Sequence, residues 1–196
     1  MNADRDTMNA YQTQADAYLR VADKAADDPD LVRFIAALPP GAQVLDLGAG
    51  PGRDSIRLRD AGFDVTALEP AAAFADMIEH AGIPVRRESF SDLTDRAAFD
   101  GIWASYSLLH APREDLPGHL TAIHRALRPG GLFTVSVKVG EGAMRDKFGR
   151  FYTYYKADEL RDAVEAAGFA TAHVNEGEIE GLAGDTSPFV VIHAHA

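Results

Sequence analysis

An aspartate precedes three glycines in five positions in the segment Asp46-Leu47-Gly48-Ala49-Gly50-Pro51-Gly52, and a glutamate, Glu69, stands 23 residues after that aspartate. Glycines at this spacing let a backbone bend tightly and let a ligand touch it with no Cβ in the way. A dinucleotide fingerprint reads G-x-G-x-x-G and seats a pyrophosphate on a helix N-terminus. Here the third glycine arrives one position early and Arg53 takes its place. Asp46 and Asp54 bracket the turn where a phosphate needs positive partial charge, with Arg53 offsetting one of them. The G-K-[ST] ending of a nucleotide-phosphate loop is also missing, replaced by Gly52-Arg53-Asp54-Ser55. A ligand with a cationic amino group, a sulfonium and a ribose fits better. Asp46 can meet an ammonium directly or through water. Glu69, at the tip of the next strand, offers a planar fork of acceptors to two vicinal hydroxyls. Its alternative reading is a solvated strand-end charge.

These residues need elements to hold them. Val44–Leu47 is a short apolar run into the turn, which reads as a buried strand. A helix over 54–61 ends at Gly62, a strand over 65–68 ends at Glu69-Pro70, and a helix over 71–81 stops at Gly82. Strands over 83–87 and 101–105 follow. Leu116, Leu120, Ile123 and Leu127 then mark a helix stopped by Pro129-Gly130-Gly131. A strand over 132–139, a helix over 157–167 and two β-rich runs, 170–174 and 189–193, close the chain. Strand–helix alternation predicts a doubly wound, Rossmann-like α/β sheet, mostly parallel. Two final strands with no helix between them predict an antiparallel hairpin at its end. Leu31, Phe34, Ile35 and Leu38 form the stripe of an earlier short helix. The organisation expected is one domain over 28–196, preceded by an N-terminal helical arm over 1–27.

Composition narrows the partners. The 196 residues suit one domain, and 46% hydrophobic with 25% charged residues is ordinary for a globular chain. No cysteine is present, which excludes disulfides, thiolate metal sites and thiol catalysis. No H-x3-H or HExxH pattern occurs, and no metal is expected. Nineteen Lys+Arg against 30 Asp+Glu give a net charge of −11, and the only basic doublet is Arg86-Arg87. Nucleic acid and anionic membrane are therefore poor partners. The opening residues lack the apolar core of a signal peptide, and a cytoplasmic monomer or homodimer is the expectation.

Four segments carry a family likeness: Val44–Gly52, Val65–Pro70, Phe99-Asp100-Gly101-Ile102-Trp103-Ala104 and Arg125-Ala126-Leu127-Arg128-Pro129-Gly130-Gly131. In order and spacing they resemble the motifs of class I S-adenosylmethionine-dependent methyltransferases, in particular the small bacterial tellurite-resistance-type and small-molecule enzymes. The resemblance implies a seven-stranded sheet with an antiparallel C-terminal strand, S-adenosylmethionine as cofactor and S-adenosylhomocysteine as product. It places Asp46, Gly48 and Gly50 at the methionine part, Glu69 at the ribose and Pro70 beside the adenine. Arg53 is counted with this cofactor group. Many members carry an aspartate shortly after strand three; here the segment is Glu88-Ser89-Phe90-Ser91-Asp92, so Phe90 is expected to line the adenine with Ser91 or Asp92 as the polar contact. Ala104 is expected to approach the methionine amine through its backbone. In related enzymes a tyrosine in a segment like Tyr11–Tyr18 closes over the cofactor, which points to Tyr18; packing of an amphipathic helix is the alternative.

The methyl acceptor is expected to be a small-molecule nucleophile, walled by Tyr106 after strand four, Lys138 at the end of strand five, and Arg150 and Tyr152 in an aromatic loop. His110 is the base candidate because its ordinary pKa lies near neutrality; a hydrogen-bonded packing histidine is the other reading. A nicotinamide-dependent oxidoreductase and a non-catalytic cofactor-binding regulator are the competing functions.

Overall fold

The computed structural model describes residues 4–22, 28–180 and 186–196, with side chains from 4–13, 28–179 and 186–196. Helix α1 (Arg5–Ala22) and helix α2 (Pro29–Ala37) precede the sheet. The alternation then runs β1 (Gln43–Leu47), α3 (Arg53–Asp60), β2 (Asp64–Leu68), α4 (Ala72–His80), β3 (Val85–Arg86) and β4 (Phe99–Ser105). It continues through α5 (Leu116–Ala126), β5 (Leu127–Lys138), a small pair β6 (Ala143–Arg145) and β7 (Phe151–Thr153), α6 (Ala157–Ala166), β8 (Ala170–Glu180) and β9 (Thr186–His195). Among the described residues, no helix is long and apolar enough to cross a membrane.

The main sheet has seven strands in the order β3-β2-β1-β4-β5-β9-β8. β1 to β5 pair in parallel, and β9 runs antiparallel to both β5 and β8. The chain leaves β1 on one side for β2 and β3, then returns to β4 on the other. That reversal makes the carboxyl ends of β1 and β4 the place where a crevice opens.

Strand periodicity assigns each β1 side chain to a layer. Leu45 and Leu47 enter the core beneath α5 and α6, while Val44 joins the core of Leu58, Val65 and Trp103 on the opposite face. Asp46 shares the face of Val44, toward α3, and pairs in register with Trp103. Helix α2 is started by Asp28, whose side chain accepts from the N–H of Asp30 and Leu31, with Pro29 at the first helical position. It is pinned to the far edge by Asp30, which accepts from Asn175 at 2.7 Å and from Nε2 of His193 at 2.9 Å. Nδ1 of His193 in turn meets the Thr134 hydroxyl at 2.9 Å.

Several elements differ from expectation. β3 is shorter because Pro84, with no N–H, cannot extend the ladder. α5 stops at Ala126, and β5 begins at Leu127, before the Pro-Gly-Gly stop. β8 and β9 are longer than the runs 170–174 and 189–193. The segment 140–155, expected as loops, contains the β6–β7 pair. Asp146 organises it by accepting from the N–H of Phe148 and Arg150 and from the Arg150 guanidinium at 2.8 and 2.6 Å.

Gly52 turns the chain from the glycine segment into α3 with φ +82, and a Cβ there would lie 2.6 Å from Cγ1 of the fully buried Ile78. Gly52→Ala therefore combines left-handed strain with overpacking and is expected to cost about 2–4 kcal/mol. Urea denaturation of the ligand-free variant measures it; an unchanged midpoint would show that α4 can yield.

Candidate functional site

A cavity of about 790 Å3, counting its open mouth, lies at the carboxyl ends of β1, β2 and β4. Gly48 forms part of its floor with φ +77, and a Cβ there would come within 2.5 Å of the Ser107 Cβ. The glycine turn and the loop after β4 can approach this closely only because that atom is missing. Ser107, on the loop after β4, is buried, and its hydroxyl has no hydrogen-bond partner among the described residues. A buried polar group without a partner in a cavity wall is an invitation to a polar ligand.

Glu69 reaches the wall from the end of β2. One carboxylate oxygen accepts from the Gly50 N–H at 2.8 Å and the other from the Ala71 N–H at 2.7 Å. Burial pushes its carboxyl up to about 7, and these two backbone donors oppose the shift. A carboxylate has roughly four acceptor positions, so two are left for hydroxyl groups of a ligand. Sequence reasoning found the residue but had no signal for its second task of joining the glycine turn to α4.

Asp46 sits behind the floor, not on it. Its face of β1 turns it toward α3, where it accepts from the Ser55 hydroxyl at 2.5 Å and is 2% exposed. Burial, with Asp54 and Glu69 nearby, raises its carboxyl to about 8. Asp54 is raised by burial too, and accepts from the Trp103 indole N–H at 2.9 Å. Three carboxylates therefore back the glycine turn. Direct contact between Asp46 and an ammonium in the cavity is not what this geometry offers; its influence there is through the field.

His110 lies on the wall in a different state from that of a neutral-pH base. Its Nδ1 is 2.6 Å from the Phe151 carbonyl and its Nε2 is 2.7 Å from the Tyr11 hydroxyl. Burial lowers its pKa to about 4. The ring is neutral at ordinary pH and both nitrogens are engaged. Tyr11 comes from α1, which is fastened further by polar contacts at and just before its first turns: Asp4 to the Arg145 guanidinium at 2.9 and 2.8 Å, the Thr7 hydroxyl accepting from Phe151 N–H at 2.8 Å, and Gln12 accepting from Ala73 N–H at 3.1 Å.

Of the expected site residues, Gly48, Gly50, Glu69, Pro70, Phe90, Ser91, Tyr106 and His110 share this wall. Tyr106 occupies a left-handed conformation, φ 47, which for a bulky residue costs about 1–3 kcal/mol and is common at functional sites. The structure does not bring Asp46, Arg53, Ala104, Lys138, Arg150 or Tyr152 to the wall. Ala104 is wholly buried on β4, and Arg150 is bound to Asp146. Tyr152 is buried behind His110 at 4.7 Å between rings, and Lys138 reaches the Ser187 hydroxyl at 3.3 Å. The side chain of Tyr18 lies outside the described residues. Ser107, Asp115 and His119 line the cavity without having been singled out; their signal was only their place after β4.

A family model described as a methyltransferase domain matches residues 11–174. The chain belongs to the methyltransferase-domain family. The seven-stranded sheet and the motifs of this methyltransferase domain are those of the class I S-adenosylmethionine-dependent group. It is 32% identical over 128 residues to a cypemycin N-terminal methyltransferase from Streptomyces sp, covering 61% of this chain and 52% of that protein. It is 37% identical over 93 residues to a malonyl-[acyl-carrier protein] O-methyltransferase from Pseudescherichia vulneris, covering 46% of this chain and 36% of that one. The chain thus spans about half or less of the length of these curated relatives. The crystal structure of Burkholderia thailandensis 1,6-didemethyltoxoflavin-N1-methyltransferase, with 1,6-didemethyltoxoflavin and S-adenosylhomocysteine bound, superposes with TM-score 0.74 at 27% identity, covering 95% of this chain and 88% of that one.

In the methyltransferase domain, Glu69→Gln keeps the shape but replaces one acceptor oxygen by a donor facing a backbone N–H. The ligand-free protein is expected to lose about 1–3 kcal/mol of stability. Chemical denaturation reads this directly, and an unchanged stability would leave Glu69 with no structural task.

Proposed function

We propose that this methyltransferase domain transfers a methyl group from S-adenosylmethionine to a small-molecule nucleophile, with S-adenosylhomocysteine as the product. The observation that carries the reading is the cradle itself: a floor at Gly48 that excludes a Cβ, a ligand-facing carboxylate at Glu69, and a set of buried acids behind them. When bound, S-adenosylmethionine supplies a methyl group already activated on a sulfonium. The protein's contribution is then mainly orientation, which can be worth roughly 7–11 kcal/mol.

Each residue has a part in that orientation. The two unused acceptor positions of Glu69 take the ribose hydroxyls, while the backbone at Gly48 and Gly50 passes close to the amino-acid part. The Ser107 hydroxyl, without a partner among the described residues, finds one there. Pro70 and Phe90 sandwich the base, with Ser91 at its polar edge. Tyr106 and the α1 residues stand on the acceptor side, and the arm over 1–27 covers the cofactor. Asp46 and Asp54 act from behind, favouring a ligand with positive charge.

The acids give this proposal a pH signature. Asp46, near 8, and Glu69, near 7, hold protons in the ligand-free fold that they would not hold unfolded. Stability from these groups is therefore full below about pH 4 and is lost as pH rises toward 8. A cationic ligand favours their ionised forms, so it must displace protons at lower pH. Affinity for S-adenosylmethionine is expected to tighten from pH 6 upward, by up to about tenfold per unit for each of the two groups it ionises, and to level off above about pH 8. Calorimetry across that range tests this, with uncharged adenosine as a comparison of weaker slope. A flat profile for S-adenosylmethionine, or no binding at all, would overturn the reading.

A further inference from the structure

The hydrogen-bond direction at the wall built by α1 can be followed atom by atom. The Phe151 carbonyl only accepts, so Nδ1 of His110 carries the ring hydrogen. In the neutral ring Nε2 then accepts, and the Tyr11 hydroxyl donates to it at 2.7 Å. Tyr11 has a single hydrogen, already directed to His110; toward a ligand its oxygen acts as an acceptor. Thr7 is oriented in the same sense, because its hydroxyl hydrogen goes to Asp4 at 2.7 Å. The Arg145 guanidinium holds the Asp4 carboxyl well below the usual carboxylate range, so Asp4 stays ionised.

Charge runs the same way. Asp115, at the start of α5, adds another carboxylate to the wall, and among the described residues no lysine or arginine lines the cavity. The guanidinium of Arg150 lies 5.5 Å from the centre of the Tyr11 ring, but two of its N–H groups are held by Asp146. An anionic group brought to this wall would face oxygens of its own kind, with no lysine or arginine among the described lining residues to receive it. A group rich in N–H would meet acceptors on two elements.

We propose that the methyl acceptor is an amine, held by donating its N–H groups to the Tyr11 oxygen on α1 and the Asp115 carboxylate at the start of α5. Bound as an ammonium, it gives one proton to Asp115, and the freed nitrogen lone pair would form the N–C bond as the S–C bond breaks, the electron pair staying on the sulfur of S-adenosylhomocysteine. This rests on the methyl-transfer reading above and narrows its substrate class, setting aside carboxylate, phosphate and oxyanion acceptors. His110 is thereby a positioning residue: it fixes the direction of the Tyr11 hydroxyl and does not itself meet the ligand.

Calorimetric titration of the protein saturated with S-adenosylhomocysteine tests this. Two pairs matched in ring and differing in the charged end serve as probes: tyramine against 4-hydroxyphenylacetate, and histamine against imidazole-4-acetate. In at least one pair the amine is expected to bind about tenfold more tightly, the scale of one hydrogen bond to a charged group. Tyr11→Phe is expected to remove most of that preference. Asp115→Asn, on a separate element, tests the same wall if loss of the hydroxyl unseats α1. Equal binding, a carboxylate preference, no binding by either member of both pairs, or a preference that survives both substitutions would overturn the proposal. S-adenosylhomocysteine is first titrated into the free protein, and its failure to bind there would remove the methyl-transfer reading as well.

Discussion

One buried carboxylate sets the geometry of the crevice. Glu69 binds the turn after β1 through Gly50 and the start of α4 through Ala71, using both oxygens. These two loops come from different strand–helix units. Burial favours the protonated acid, which could accept at one oxygen only with reduced strength. The two backbone donors favour the ionised form. The group is thus balanced near neutrality, and hydroxyl donors from a ligand would tip it toward the charge that the backbone also prefers.

The acids behind the floor extend that balance. Asp46 and Asp54 are kept close by Ser55 and Trp103, and burial raises both. Such an arrangement is expensive to maintain in a protein alone, because each added charge opposes the next. A cationic ligand relieves it. Arg57 and Arg53 offset Asp54 only in part, since burial still raises it.

Much of this was legible in the sequence. The strand–turn–helix at Asp46–Ser55, the acid at the tip of β2 and the closing hairpin follow from apolar runs, glycine stops and spacing, all of which are local signals. Side-chain direction was less accessible. Strand periodicity assigns Asp46 to a face, but only the packing of α3 on that face shows that the residue is turned away from the cavity. His110 was judged by its ordinary pKa, whereas its state is decided by Tyr11 and Phe151, 99 and 41 residues away in the chain. Arg150 and Tyr152 suggested a ligand-facing loop because of their type. Asp146, four residues before Arg150, captures that guanidinium and folds the segment into a strand pair instead.

The floor and the roof of the cavity are made at very different distances along the chain. Gly50 and Glu69 are 19 residues apart, whereas Tyr11 meets His110 across 99 and Asp4 meets Arg145 across 141. Closing such long loops costs more chain entropy, and contacts of this kind raise the contact order of a fold. Beside them, Met8 and Tyr11 pack against Ala71 and Phe74, which joins the roof to the start of α4. The floor is thus assembled from neighbours in the chain, and the roof is brought over it from the opposite end of the sequence.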